Sequence, residues 1–270
     1  MSLFGAAVRR LARLLPPTVL ERVIRTAGSL QTPHDKLCSG MLTMAGSLEN
    51  MRRNGFLPGS VIDVGAHTGA WARSIHALYP DVPIVMIEAS PDKDGPLAQV
   101  ARELNGRAQH RIALLGSTSG ARVPFHVVET QAGSGTGSSV FREKTGFEKS
   151  TVLLPTVTLD EVVRSVSLPA PYLLKLDVQG SELEVVRGAS QVLANTEAIL
   201  TEVSLVEYNE GAPLAAEVIT ELSRAGFVLY DICSQTRRQT DGTLFQMDLI
   251  FVRAGSALRG QRRFWNHEPA

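Results

Sequence analysis

The nine residues from Val61 to Gly69 constrain the fold of this chain more than any other stretch. An apolar run interrupted only by Asp63 ends at Gly65, and Gly69 precedes a segment of helical composition, 70–78. An apolar run that ends at a glycine is typical of a strand buried on both faces of a parallel sheet. A strand, a glycine turn and a helix form the first half of a nucleotide-binding βαβ unit.

Three later apolar runs also end at an acid and alternate with helical segments. The runs 84–88, 171–177 and 198–203 close at Glu88, Asp177 and Glu202. The last two runs, 227–232 and 244–252, are separated only by a polar turn, so we expect them to pair antiparallel. The sequence therefore predicts an α/β, Rossmann-like, doubly wound sheet with a reversed, antiparallel edge strand.

The acids at the strand ends mark a candidate site. In doubly wound sheets, ligands bind outside the carboxyl ends of the strands. Four carboxylates should therefore meet at one rim of the sheet: Asp63, Glu88, Asp177 and Glu202.

The flanking segments divide the chain into a helical extension at 1–55, the main domain at 56–253 and a loosely ordered tail at 254–270. Leucines and arginines alternate at near-helical spacing in the first 26 residues. Such a basic amphipathic helix can lie on an anionic membrane surface. Packing on the domain, or on a second subunit of a homodimer, is the favoured alternative. Residues 131–139 are rich in glycine and serine and form either a lid or a plain surface loop.

Composition narrows the cellular setting and the partners. Lys plus Arg and Asp plus Glu each number 27, so no nucleic-acid partner is expected. The two cysteines have no metal-binding or disulfide spacing, and a reducing cytoplasm is the plain interpretation. The protein is expected in the cytoplasm, with peripheral contact to the inner face of the membrane if the first helix binds lipid.

The glycine turn also discriminates among nucleotides. A dinucleotide site requires a middle glycine where the backbone approaches a pyrophosphate, and this chain has His67 there. Asp63 would repel phosphates but can hold an ammonium group, while Glu88 can grip the diol of a ribose. S-adenosylmethionine carries both an ammonium and a ribose, so the pattern favours this methyl donor.

The sequence resembles the FkbM-type methyltransferases over roughly 54–252. The resemblance rests on 62–69, on Glu88 followed by Ser90-Pro91, on 158–160 and above all on the block 174–185, which reads LKLDVQGSELEV. It implies a class I methyltransferase fold, S-adenosylmethionine as donor and transfer to an oxygen, often of a sugar in a glycan, glycolipid or natural product. Ala89 and Gln179 depart from the residues that are common in the family. The implied donor-binding positions are Asp63, Gly65, Ala66, His67, Gly69, Glu88 and Ala89.

Methyl transfer to a hydroxyl needs a group that takes the hydroxyl proton or lowers its pKa. Asp177 is the first candidate for a general base. The alternative is that Asp177 only caps the following helix. Glu202 could share a sugar hydroxyl or a Mg²⁺ ion with Asp177. Lys175 lies on the same side of its strand as Asp177 and could orient that acid or screen its charge.

The helix after Asp177 has a sequence signature of its own. Ser181 and Glu184 match a capping box, and Glu182 and Glu184 are expected to face solvent in the first turn. Two rival functions remain open at this point. One is a nucleotide-dependent oxidoreductase, and the other is a non-catalytic scaffold on a membrane surface.

Overall fold

A computed structural model describes residues 43–130, 133–135, 137–144 and 149–260. The chain divides into two compact units, 1–42 and 43–270, and all of the first lies outside the described residues. The predicted amphipathic helix and its membrane or subunit contacts fall there. So do residues 131, 132 and 136 of the predicted lid and residues 261–270 of the tail.

A seven-stranded sheet forms the centre of the second unit, as the apolar runs predict. Its strands are β1 (Ser60–Val64), β2 (Ile84–Glu88), β3 (Ala108–Ile112), β8 (Tyr172–Leu176), β9 (Thr196–Ser204), β10 (Phe227–Arg237) and β11 (Leu244–Arg253). Every residue of β1 and β8 is buried, which explains why both strands are apolar except at Ser60, Asp63 and Lys175.

The strand order is β10-β11-β9-β8-β1-β2-β3. The five strands from β9 to β3 pair parallel, whereas β11 runs antiparallel to both β9 and β10. The predicted doubly wound sheet with an antiparallel pair at its edge is therefore confirmed. The reversed strand β11 inserts next to the edge, and β10 is outermost.

Helices cover both faces of this sheet. They are α1 (Met44–Arg53), α2 (Ala70–Leu78), α3 (Asp94–Glu103), α4 (Leu159–Arg164), α5 (Glu182–Arg187), α6 (Ser190–Ala194) and α7 (Ala215–Arg224). One buried cluster joins the sheet to α4–α7, and a second joins its other face to α1–α3. The site at the strand ends is therefore supported by a sheet that is packed against helices on both faces.

A second, four-stranded sheet is inserted between β3 and β8. It has the order β4-β7-β5-β6 and consists of β4 (Leu114–Leu115), β5 (Arg122–Thr130), β6 (Gly133–Ser134) and β7 (Lys149–Val157). The alternating residues 123–129 predict β5. Strand β7, which pairs antiparallel with β5, was not predicted from the sequence.

Two segments beside the predicted domain boundaries pack on the main unit. Helix α1 belongs to this unit, because Leu48 and Met51 are buried in its core. The described part of the tail is ordered, since Ala257–Arg259 form a 3-10 turn and Leu258 packs against the same core. No helix among the described residues is long and apolar enough to cross a bilayer.

Candidate active site

The turn after β1 is built around two glycines with left-handed backbone conformations. Gly65 has φ +77°, and a Cβ at this position would lie 1.8 Å from the carbonyl oxygen of Asp177. Gly69 has φ +74° and caps α2, where a Cβ would lie 2.7 Å from Val100. Only glycine avoids both the conformational and the steric cost, so β1, β8 and α2 can approach this closely.

The carboxylate of Glu88 is fixed by the same turn. One oxygen accepts the backbone N–H of His67 at 2.8 Å, and the other accepts that of Ser90 at 2.9 Å. His67 has φ +49°, a conformation uncommon for a residue with a side chain. The turn therefore holds Glu88 at the rim of the sheet in one orientation.

A cavity of about 310 Å³ opens at the carboxyl ends of the strands. Its lining includes Gly65, His67, Glu88 and Ala89, four of the positions predicted for the donor, which we call its first half. Ala66 and Gly69 shape the turn but do not line the cavity. The second half is lined by Asp177, Gln179, Glu202, Tyr208 and Gln246.

The structure does not place Asp63 where the sequence predicts. Its side chain is fully buried beneath the turn, and its ion-pair partner among the described residues is Lys175, with Oδ1 and Nζ 3.2 Å apart. The two residues are direct neighbours across the β1–β8 pair. Asp63 therefore meets a lysine of its own chain and does not line the cavity, and its role as a donor contact stays a prediction.

Lys175 links Asp63 to Asp177. Its ammonium lies 3.2 Å from Asp177 Oδ2 and donates to the carbonyl oxygen of Gly65 at 3.2 Å. The ring of Trp71 lies on another side, with its centroid 5.7 Å from Nζ. Lys175 does not line the cavity and acts on it through these neighbours.

Burial lowers the pKa of Lys175, but the carboxylates of Asp63 and Asp177 outweigh burial, and the net pKa is raised. Burial raises the pKa of Asp63, opposed by the charge of Lys175. Lys175 is thus a permanent cation that can balance negative charge but cannot accept a proton.

Gln179 joins the two acids of the cavity. Its side-chain N–H₂ donates to Asp177 Oδ1 at 3.0 Å and to Glu202 Oε1 at 2.9 Å. Gln246, on the reversed strand β11, donates to the same oxygen of Glu202 at 2.8 Å. Asp177 and Glu202 are therefore brought together, as predicted, with an amide between them.

Burial raises the pKa of Glu202 to about 8, and the nearby carboxylates of Asp177, Asp248 and Glu182 add to this effect, while Gln179 opposes it. Asp248 is the neighbour of Glu202 across the β9–β11 pair and accepts a hydrogen bond from Ser234. Asp248 does not line the cavity, so its influence on the site is electrostatic.

The predicted Mg²⁺ site does not fit these residues. The amide of Gln179 presents hydrogen-bond donors to Asp177 and Glu202, at the place where a shared cation would need their oxygens. Within the described ranges, no group of three or more acidic, histidine or cysteine side chains could hold a metal ion. A Mg²⁺ ion is usually bound through oxygen ligands in octahedral geometry, which this donor set does not provide.

The start of α5 differs from the predicted capping box. Ser181 makes no side-chain cap, and no described residue hydrogen-bonds to its buried hydroxyl. Glu182 is 4% exposed and accepts the backbone N–H groups of Val178 and Gly180 at 3.1 and 3.2 Å. Burial raises its pKa to about 7, against these hydrogen bonds. Glu182 thus organises the loop that carries Gln179 and does not face solvent.

The segment 137–144 contributes Gly137, Ser138 and Val140 to the cavity lining. Ser139 donates its hydroxyl to the carbonyl oxygen of Gln179 at 2.8 Å, and the Asn209 amide donates to that oxygen at 2.8 Å. The hydroxyl of Tyr208 donates to the buried Glu143, and Tyr208 also lines the cavity. Part of the glycine-rich segment predicted as a lid therefore hydrogen-bonds to the backbone of Gln179, the residue that joins the two acids of the cavity.

Several of these residues carry little or no signal in the sequence. Gln246 lies on the predicted antiparallel strand 244–252, and nothing in that pattern marks it as a site residue. Tyr208 and Glu143 follow no motif, and only the folded chain brings them together.

Comparison with known proteins identifies the family. The model of the methyltransferase FkbM domain matches residues 63–229, more than half of the chain. The match spans the glycine turn, Glu88, the inserted sheet and the Asp177 and Glu202 strands. A search of curated protein sequences finds no match.

Three solved structures of methyltransferases resemble the chain at low similarity. Precorrin-6y C5,15-methyltransferase from Geobacter metallireducens GS-15 is 11% identical, with 78% of this chain and 89% of that chain covered and a TM-score of 0.42. The glycopeptide N-methyltransferase MtfA in complex with S-adenosyl-L-homocysteine is 12% identical, with 83% and 99% covered and a TM-score of 0.38. The O-methyltransferase NcsB1 from neocarzinostatin biosynthesis is 14% identical, with 85% and 60% covered and a TM-score of 0.35. The extent of the family match, on a sheet of the expected order, decides the assignment: the chain belongs to the FkbM methyltransferase family and is an S-adenosylmethionine-dependent methyltransferase.

Proposed function

We propose that the enzyme transfers the methyl group to a hydroxyl, with Asp177 as the general base. One observation carries this proposal: the cavity is lined by the carboxylate of Glu88, which we assign to the ribose diol, and by a bridged pair of carboxyl groups, Asp177 and Glu202. A donor that spans the first half would present its methyl group toward the second.

The donor is held by backbone and by one acid. The oxygens of Glu88 already accept two N–H groups, which fix their direction and leave lone pairs for the ribose diol. The glycine at 65 allows the donor to approach the backbone closely. Asp63 supports this half indirectly, because Lys175 ties it to the carbonyl of Gly65.

The chemical step is a displacement at the methyl carbon. The acceptor oxygen attacks that carbon, the carbon–sulfur bond breaks with its electron pair going to sulfur, and the hydroxyl proton passes to Asp177. The products are the methyl ether and S-adenosylhomocysteine. The sulfonium is already activated, so positioning of the acceptor supplies a large share of the rate enhancement, and the base adds the remainder.

The two carboxyl groups have different roles in this scheme. Asp177 lies beside the permanent charge of Lys175, which balances a carboxylate. Glu202, with its pKa raised to about 8, is protonated at neutral pH and can donate a hydrogen bond to the acceptor. The acceptor then meets one proton-accepting and one proton-donating group.

A sugar hydroxyl is the acceptor class that we favour, in a glycan, a glycolipid or a glycosylated natural product. The second half of the cavity is lined by carboxyl, carboxamide and phenol groups from Asp177, Gln179, Glu202, Tyr208 and Gln246. Such groups can hydrogen-bond several hydroxyls at once. The family resemblance points to the same class. We further propose a cytoplasmic enzyme whose predicted amphipathic helix within residues 1–26 contacts a membrane surface or a second copy of the chain.

Calorimetric titration with S-adenosylhomocysteine and with NADH tests the donor. We expect binding of the first and none of the second. Incubation with S-adenosylmethionine and a panel of neutral sugars, sugar acids and phenols, followed by mass spectrometry, tests the acceptor. A methyl group found on a sugar oxygen supports the proposal.

Methylation of nitrogen or carbon, or of phenols alone, would contradict the acceptor class and leave the donor assignment standing. Binding of NADH without S-adenosylhomocysteine would overturn the proposed placement of the donor.

A further inference from the structure

Gln179 occupies a position of its own in the site. Its side chain reaches Asp177 and Glu202 at 3.0 and 2.9 Å, so a single N–H₂ group contacts both carboxyl groups. Two carboxylates this close repel each other unless a proton, a cation or a hydrogen-bond donor lies between them.

Contacts to the backbone of Gln179 hold its side-chain amide between the two carboxyl groups. Its φ is +54°, which side-chain-bearing residues rarely adopt. The carbonyl oxygen is fixed by Ser139 and by Asn209, each at 2.8 Å. The loop around it is closed by the buried carboxyl of Glu182. Strain that is held by so many contacts points to a role for the side chain.

Gln246 completes the arrangement from the reversed strand. It donates to the same oxygen of Glu202 as Gln179 does, at 2.8 Å. Both donors converge on Oε1, so the second oxygen of Glu202 is left to face the cavity.

We propose that Gln179 is a positioning residue whose amide takes the place of a divalent cation between Asp177 and Glu202. The proposal rests on the proposed function for the meaning of this acid pair. It explains why the acids at the strand ends need no metal ion. It also implies that replacing the amide with a carboxylate creates a cation site of three carboxylates, the kind of oxygen-ligand set that Mg²⁺ accepts.

The test compares the full-length protein with Gln179→Glu and Gln179→Met. Binding of Mg²⁺ is measured by calorimetry at mildly alkaline pH, because the pKa of Glu202 is raised to about 8, and the melting temperature is measured with Mg²⁺ and with chelator. We expect no Mg²⁺ binding and no effect of Mg²⁺ on the wild-type protein. Gln179→Glu should melt roughly 5 °C lower in chelator and recover most of that loss in Mg²⁺.

Gln179→Met is the matched control. It keeps the length of the side chain, loses the donors and adds no charge. It should also lose stability, and Mg²⁺ should not restore it. If Gln179 had only a structural role, Mg²⁺ would have the same effect on the melting temperature of both variants.

Two results overturn the inference. One is a Gln179→Glu variant that binds no Mg²⁺ and whose melting temperature Mg²⁺ does not change. The other is binding of Mg²⁺ at this site by the wild-type protein. Titration of the wild-type protein with S-adenosylhomocysteine reports separately on the proposed function, because it requires neither the cation nor the acceptor.

Discussion

At the scale of single residues, the site depends on close contacts that fix the position of Asp177. The Cα of Gly65 packs so closely on the carbonyl of Asp177 that no Cβ fits between them, and the Lys175 ammonium contacts the carboxylate of Asp177. Asp177 is thus fixed through both its backbone and its side chain. Changes at this residue and at Gly65 should therefore have separable effects, one on chemistry and one on folding.

Asp177→Asn should lower turnover by about 10²- to 10⁴-fold, because it removes the proton acceptor and keeps the shape of the side chain. Affinity for S-adenosylhomocysteine should be unchanged, since Asp177 lies in the acceptor half of the cavity. Turnover with the identified acceptor and donor calorimetry measure the two quantities. Glu221→Gln, on the surface of α7 and paired with Arg224, serves as control. An equal loss of donor affinity and turnover would refute this division of roles.

Gly65→Ala should destabilise the protein by roughly 3 kcal/mol or more, because the added Cβ clashes with a backbone oxygen in a left-handed conformation. Gly55→Ala is the matched control, since Gly55 also has positive φ, +92°, but a Cβ added there would meet no other part of the chain within 4 Å. That substitution should cost about 1 kcal/mol, the conformational part alone. Urea unfolding measures both, and equal costs would show that the contact with Asp177 is not tight.

At the scale of elements, strands β1 and β8 are joined by more than their backbone ladder. Asp63 of β1 and Lys175 of β8 form an ion pair on the face covered by α2, where both side chains are withdrawn from water. A buried pair is costly to break, because the remaining charge is left without compensation.

Lys175→Met should lower the free energy of unfolding by about 3–5 kcal/mol. The double variant Lys175→Met with Asp63→Asn should recover a large part of that loss, since no unpaired charge stays buried. Lys144→Met is the control, because Lys144 pairs with Glu207 at the surface, and stability there should stay close to that of the wild-type protein. A double variant no more stable than Lys175→Met would argue against a coupled pair.

At the scale of the whole molecule, the buried acids make stability depend on pH. Glu202 binds its proton more tightly in the folded chain, with its pKa raised from 4.5 to about 8. Between these values the folded state holds more protons than the unfolded state, so stability falls as pH rises. Glu182, with its pKa raised from 4.5 to about 7, acts in the same direction.

Glu202→Gln should therefore flatten the decline of stability with pH and make the protein more stable than wild type above pH about 8. Thermal melting across this range measures the slope. Glu221→Gln, whose side chain lies at the surface of α7, should follow the wild-type slope. If Glu202→Gln also keeps that slope, the carboxyl of Glu202 is not the group that titrates.

The sequence alone determined the sheet and the family. Local residue patterns predict buried strands, glycine turns and helix ends. They also predict that Glu88, Asp177 and Glu202 lie near the ends of strands. These features depend on near neighbours in the chain, which explains why they could be predicted.

Only the tertiary structure decided what each polar side chain meets. Asp63 faces Lys175, Glu182 is buried instead of solvated, and Gln179 stands where a metal was expected. The lysine that pairs with Asp63 and the Glu202 carboxyl that Gln179 contacts lie on strands far from them in sequence. The charge and hydrogen bonding of a buried group depend on such distant partners, so no local pattern contains them.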